Sequence, residues 1–399
     1  MEHTVYLDNA ATTFPKPEEV YEALDMANRE LAFNAGRGTY NLAKKATDLI
    51  ETTKKQILGV VCPNSVAEVI FTSSATVAFN QVIGGLEIQK CEVVYVSPYE
   101  HNAVMRTLHL AQKRIGFEIE VLETKMERGN YLQEDTSEEK NTSLILDLSK
   151  IEYQFAKKRP DYVFCTHVSN VTGYILPIET LCKMAKEYKA KTILDASQSI
   201  GLVDINMDKM LLDCVVFAGH KTLYGPLGIG GFVKKGSLKI APFLAGGTGS
   251  DSLNLDMPID GGLEPSSPNV VAIAGLSKAL ELLEGEKMGQ LHQQEQDMTK
   301  KLLEGLCGIE GLHTYLPPLE AHVGIVALNV EGFQASDVGM LLDEDYNIAV
   351  RTGYHCAPLI HELLDDKEFG GVVRVSVGRF TTEEDVEKLI MALKEIMEG

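Results

Sequence analysis

Along residues 66–235 the chain alternates short apolar runs with longer stretches whose apolar positions recur every three to four residues. The runs at 68–72, 92–96, 117–122, 161–166, 192–195, 213–218 and 230–234 are nearly continuous in Val, Ile, Phe and Leu. That pattern predicts strands covered on both faces. The stretches at 75–86, 103–114 and 177–188 carry the helical period. Strand–helix alternation of this kind predicts an α/β fold built on a mainly parallel, seven-stranded sheet. Ligands of such sheets gather at the carboxyl ends of the strands, so the polar residues just after each run are the ones to inspect.

Two segments break the alternation. Residues 124–143 are polar and charged with few apolar anchors, which predicts an exposed loop or an excursion from the fold. The glycine-rich span 245–267 has almost no periodicity and reads as a long functional or interdomain loop. Beyond it the pattern changes to two helices (270–283 and 288–306), strands at 324–330 and 372–376, and a closing helix at 383–397. We therefore expect a large domain over 17–265 and a smaller α+β domain made of 1–16 and 266–399.

Composition narrows the class of function. Hydrophobic residues make up 45% of the chain and charged residues 24%, values that argue against disorder or fibre. The formal net charge of -20 repels a phosphate backbone, and no local basic patch offsets it, so nucleic acid is not an expected partner. No apolar run is long enough to span a bilayer, and the opening residues lack a signal-peptide pattern, so membrane and secretion are not expected. The seven cysteines are scattered without a paired framework, which fits a reducing cytoplasm. No His/Cys spacing suggests a metal site.

Two places carry candidate chemistry. The segment Arg351-Thr352-Gly353-Tyr354-His355-Cys356-Ala357-Pro358 sets one thiol beside an imidazole in a glycine-marked loop. A neighbouring cation there would favour the nucleophilic thiolate, although free cysteines are more often small buried hydrophobes. The second place is a pair of strand ends, one delivering Asp195 and the other Ala218-Gly219-His220-Lys221. One strand–helix–strand unit separates Asp195 from Lys221, so both can reach one rim of the sheet. Pyridoxal phosphate needs such a pair, an amine for its aldehyde and an acid for its ring nitrogen. Spacing alone slightly favours the plainer pairing of a surface lysine with a helix-capping aspartate.

The order of motifs along the whole chain resembles the class V aminotransferase-fold enzymes, and within them the cysteine desulfurase and selenocysteine lyase family. Tyr6-Leu7-Asp8-Asn9-Ala10-Ala11-Thr12-Thr13 and Asn34-Ala35-Gly36-Arg37-Gly38 resemble the family's opening signature and active-site loop. Phe71-Thr72-Ser73-Ser74-Ala75-Thr76 resembles its phosphate-binding turn. Glu100-His101, Thr166 to Gly173, Asp195 to Gln198, Gly219-His220-Lys221 and Gly246-Gly247-Thr248-Gly249-Ser250 follow in the family's order. Glycine before the aromatic-His-Cys triplet resembles the subgroup called type II.

The resemblance implies a pyridoxal 5′-phosphate enzyme of transferase fold type I, acting as a homodimer. It implies Lys221, Cys356 and His101 as catalytic residues. Ala75, Thr76, His101, Asn170, Asp195, Gln198, His220 and Lys221 would hold the cofactor, with Thr248 reaching the phosphate of a neighbouring subunit. Arg374, Asn170 and Asn34 would hold the substrate. For Arg374, set in the apolar run Val372-Val373-Arg374-Val375, a buried guanidinium needs an anionic partner, and a substrate carboxylate suits it better than an internal ion pair. The implied reaction converts L-cysteine to L-alanine with a persulfide on Cys356, whose sulfur passes to an acceptor for iron–sulfur cluster or thio-cofactor assembly. A selenocysteine lyase, an aminotransferase or racemase on the same fold, and a non-catalytic assembly scaffold are the alternatives. Ala218, Val77, Tyr40 and the tract Gly378-Arg379-Phe380-Thr381-Thr382 depart from the family pattern and bear on substrate and partner preference.

Overall fold

The computed structural model describes residues 4–35, 40–63, 66–128, 142–248, 253–258, 261–283 and 287–398. All seven apolar runs become strands of one sheet. In spatial order these are Ala67–Thr72, Gly230–Lys235, Cys214–Ala218, Lys191–Asp195, Tyr162–Thr166, Val93–Val96 and Glu118–Val121. Only Gly230–Lys235 runs against its neighbours, pairing antiparallel with strands on both sides, and the remaining pairs are parallel. The sheet is mainly parallel, as the α/β pattern implies.

Continuous apolar runs are needed because both faces are covered. Val93, Tyr95, Val163, Leu194, Val215 and Phe217 join one core cluster. Their neighbours in sequence, Val94, Val96, Phe164, Ile193 and Val216, join another. The period of two along each strand thus sends alternate side chains into separate cores. The first cluster also receives helix Val270–Glu281, which packs against helices Glu18–Glu30 and Asn41–Val61.

A four-stranded antiparallel sheet follows, ordered Leu312–Tyr315, Ile325–Val330, Val372–Ser376 and Arg351–Gly353. Helices Lys287–Leu306, Ala335–Glu344 and Glu383–Glu398 accompany it, and Val5 and Leu7 from the start of the chain enter its core. The strand Val5–Tyr6 pairs in parallel with Ile348–Ala349.

The expected loop at 124–143 needs correction. Thr124–Arg128 and Thr142–Leu146 form a two-stranded antiparallel sheet, and residues 129–141 lie outside the described residues. Leu144 and Leu146 are buried on one face of the pair, while Lys125, paired with Ile145 on the other face, is exposed. The described parts of 245–267 hold no helix or strand, in line with the glycine-rich reading.

Candidate active site

Strand ends and helix starts converge on a cavity of about 220 Å³. Asp195 closes its strand on the cavity wall, and its Oδ1 accepts a hydrogen bond from Ser197 N at 2.9 Å. Lys221 lies just beyond the neighbouring strand on the same wall. Burial pulls the Lys221 amine down to about 8, and the nearby Asp195 carboxylate opposes the shift. The carbonyl of His220 anchors the lysine turn. It accepts from Lys16 Nζ at 2.7 Å and from Thr12 Oγ1 at 3.1 Å.

His101 caps helix Asn102–Ile115, where its Nδ1 accepts from Ala103 N at 3.0 Å. Burial, and then the Lys221 charge, lower this imidazole to about 4. Near neutral pH it is therefore an uncharged ring whose proton sits on Nε2. His220 is lowered to about 4 by burial, helped by Lys221 and Lys16. Next to His101 in the chain, Glu100 is fully buried and raised to about 8, chiefly by burial and further by Asp195, against the Ser97 hydrogen bond.

Arg374 and Cys356 reach the same cavity from the second sheet. Arg374 is 2% exposed, and the plainer alternative set aside above is realised. Its Nη2 donates to Asp8 Oδ1 at 2.6 Å, and its Nη1 to the Asn170 carbonyl at 2.9 Å. Its Nε stays buried without a partner. Cys356 is exposed at the cavity mouth. The imidazole beside it is not a cation: His355 is buried, bonded to the Val372 carbonyl at 3.1 Å, and lowered to about 2 by burial and Arg374, while Arg351 and Lys221 share the cavity with the thiol.

Most of the expected residues meet here. Ala75, Thr76, His101, Asn170, Asp195, Gln198, His220, Lys221, Cys356 and Arg374 all line the cavity. Asn170 donates to the His355 carbonyl at 2.8 Å and Gln198 to the Ala10 carbonyl at 2.7 Å. Asn34 does not join them; it is exposed and lines a separate groove that also holds Thr248 and Val77. Its neighbours Gly36 to Thr39 lie outside the described residues. Arg351 and His355 also line the cavity. The sequence singled out His355 only as the imidazole beside the thiol and gave Arg351 no role, although its closeness to Cys356 in the chain was the available signal.

The residues present fit a pyridoxal 5′-phosphate. Ser74 caps helix Ala75–Gly85, accepting from Val77 N, so the first N–H groups of the helix, at Ala75 and Thr76, open on the cavity as an anion seat. The unpartnered Nδ1 of His220 and the Asp195 carboxylate complete a set matching a phosphate and a pyridinium nitrogen.

The aminotransferase class-V family model matches residues 5–389, and the chain belongs to that family. It is 31% identical to a probable cysteine desulfurase of Pyrococcus abyssi, across 100% of this chain and 95% of that protein. It is likewise 31% identical to a cysteine desulfurase of Pectobacterium carotovorum, across 98% of this chain and 92% of that one. The apo structure of a cysteine desulfurase from Thermococcus onnurineus superposes with a TM-score of 0.85 at 30% identity, covering 99% and 95% of the two chains.

Proposed function

We propose that this chain is a pyridoxal 5′-phosphate-dependent cysteine desulfurase that moves sulfur from L-cysteine onto Cys356 and releases L-alanine. The observation that supports it best is the meeting of Lys221 and Cys356, from different sheets, at one cavity shared with Asp195 and Arg374. The full-length likeness to cysteine desulfurases points the same way.

When bound, the cofactor supplies an electron sink for the substrate α-carbon. Lys221 provides the amine that tethers it, and Asp195 keeps its ring nitrogen protonated. Arg374, which lines the cavity and is paired with Asp8, holds the substrate carboxylate in competition with that of Asp8. With an amine near 8, Lys221 has an appreciable neutral fraction at mildly alkaline pH and can accept the α-proton. The Cys356 thiolate attacks the substrate sulfur, so an S–S bond forms as the Cβ–S bond breaks. The electron pair passes to the carbon framework, which is protonated to alanine, and the balance closes without an outside oxidant. Nε2 of His101 carries a proton in position to be shared with this step.

In this reading the chain works as a cytoplasmic homodimer, Thr248 serving the neighbouring subunit, and the persulfide sulfur passes to an acceptor. Among the described residues no helix is long and apolar enough to cross a membrane. The test is alanine formation from cysteine by the cofactor-loaded protein. Lys221→Ala should lose the visible absorbance and at least about a hundredfold in rate. Cys356→Ser should form no alanine from cysteine, and wild-type rates in that variant would exclude the scheme.

A further inference from the structure

Behind the Cys356 turn, away from the cavity, lies a buried pair that the proposed chemistry does not use. His361 is 2% exposed and Asp366 is wholly buried. Their side chains meet through Nδ1 and Oδ2 at 2.5 Å. The other imidazole nitrogen, Nε2, lies 2.9 Å from the carbonyl oxygen of Tyr354. The Tyr354 carbonyl can only accept, so the ring donates to it from Nε2, and the proton shared between Nδ1 and Asp366 Oδ2 fixes the ring's orientation.

That carbonyl belongs to the turn presenting the thiol. Ala357 N also donates to it at 3.0 Å, closing a turn whose central residues are His355 (φ 43°) and Cys356 (φ 57°). Two positive φ values are the signature of a type I′ turn, ordinarily built from Asn-Gly. Two side-chain-bearing residues there are strained, and such strain persists only when the surroundings hold it. Each carbonyl of the turn is in fact tied. Asn170 Nδ2 holds that of His355 at 2.8 Å, Asn102 N holds that of Cys356 at 2.6 Å, and His361 holds that of Tyr354. The first two ties come from the cavity wall and the His101 helix. The third alone comes from a side chain oriented by a buried carboxylate.

We propose that the His361–Asp366 pair positions the Cys356 thiol, fixing its strained turn in the conformation from which sulfur reaches the substrate. The inference rests on the desulfurase reading above and assigns His361 a positioning role, not contact with substrate.

The experiment compares cofactor-loaded wild type, His361→Ala and His361→Gln, with cysteine and with selenocysteine, whose selenium departs more readily and depends less on the thiol. In His361→Ala, alanine formation from cysteine should fall about tenfold to a hundredfold, the scale of a small misplacement of a reacting group. Formation from selenocysteine should stay within about twofold of wild type on the same argument. The Gln amide can reach the same carbonyl and should restore most of the loss. A second readout needs no cofactor: alkylation of Cys356 by iodoacetamide, measured by mass spectrometry against the exposed Cys91 and Cys307 in the same chain. The Cys356 rate relative to these two should change in His361→Ala and return in His361→Gln. Equal losses with both substrates, or an unchanged alkylation ratio, would overturn the proposal. If His361→Ala does not fold, the near-isosteric Asp366→Asn is read by the same two measurements. A wild-type protein that makes no alanine from cysteine would defeat the desulfurase reading itself, and the alkylation ratio would still decide the positioning role.

Discussion

Lys221 and Arg374 are both cations drawn out of water, and each meets burial differently. A lysine can shed its proton, and burial takes its amine from the ordinary 10.5 down to about 8. An arginine cannot, so Arg374 takes an acid instead, Asp8. Because the folded-state value of Lys221 is depressed, its amine is charged below about pH 8 and neutral above it. The rate at which cofactor-free protein combines with added pyridoxal phosphate should therefore rise with pH and level off above about 8. A rise that begins only near 10 in the absorbance time course would mean an unperturbed amine. Replacing Asp8 with Asn should cost about 1–3 kcal/mol in thermal unfolding, since it removes the charge partner of a buried guanidinium. It should also lower the KM for cysteine, because Asp8 no longer competes for Arg374. The need of Arg374 for an anionic partner was legible in the sequence, but the identity of that partner was not. Asp8 lies at the far end of the chain from Arg374, and no periodicity says that the first strand returns beside the last. The imidazole of His355 misled for a similar reason: adjacency to Cys356 suggested a cation, and burial, helped by Arg374, made the ring neutral against the opposing hydrogen bond to the Val372 carbonyl.

The elements themselves were far more legible, and the seven strands show why. A strand covered on both faces must be apolar at every position, so Val93–Val96 or Cys214–Ala218 announces itself in four or five residues. The pair Thr124–Arg128 and Thr142–Leu146 buries one face only, and its charged outer positions masked it as a loop. Helix Asn41–Val61 buries a narrow stripe of Ala43, Ala46, Ile50, Thr53, Ile57 and Val61, diluted among polar residues. The antiparallel strand Gly230–Lys235 bears directly on the site. A Cβ at Gly230 would stand 2.9 Å from the Phe217 carbonyl and 3.0 Å from Ala75 N. The strand must therefore be bare where it passes beneath the start of the helix proposed to hold phosphate. Gly230→Ala should destabilise the protein by about 1–3 kcal/mol, the usual range for overpacking. It should also weaken retention of pyridoxal phosphate in equilibrium dialysis, because the displaced group is the N–H donor itself. Loss of stability with unchanged retention would mean that the Ala75 N–H does not face the phosphate.

At the scale of the molecule, the cavity lies where the two sheets meet, and the segment from 168 to 175 joins them. It leaves the strand Tyr162–Thr166 of the large sheet and pairs with the approach to Ile325–Val330 of the small one. Ile175 N donates to the Ala321 carbonyl at 2.8 Å, and Val323 N to the Gly173 carbonyl at 3.0 Å. The same segment carries Asn170, whose carbonyl accepts from Arg374 and whose amide holds the Cys356 turn. Gly173 sits at φ 72°, and a Cβ there would meet the carbonyl oxygens of Ile325 at 2.6 Å and Val323 at 2.8 Å. Both contacts are to backbone, so the cost cannot be escaped by turning a side chain aside. Gly173→Ala should therefore move the small sheet against the large one and lower the unfolding free energy by about 2–4 kcal/mol, strain and overpacking together. Lys221, Asp195 and the Ser74 cap all belong to the large sheet, so cofactor absorbance should survive the change. Cys356 and Arg374 belong to the other side, so alanine formation from cysteine should fall at unchanged absorbance. A variant that lost both in parallel would show that the two sides of the cavity are not separately mounted, and that the join at Gly173 serves stability alone.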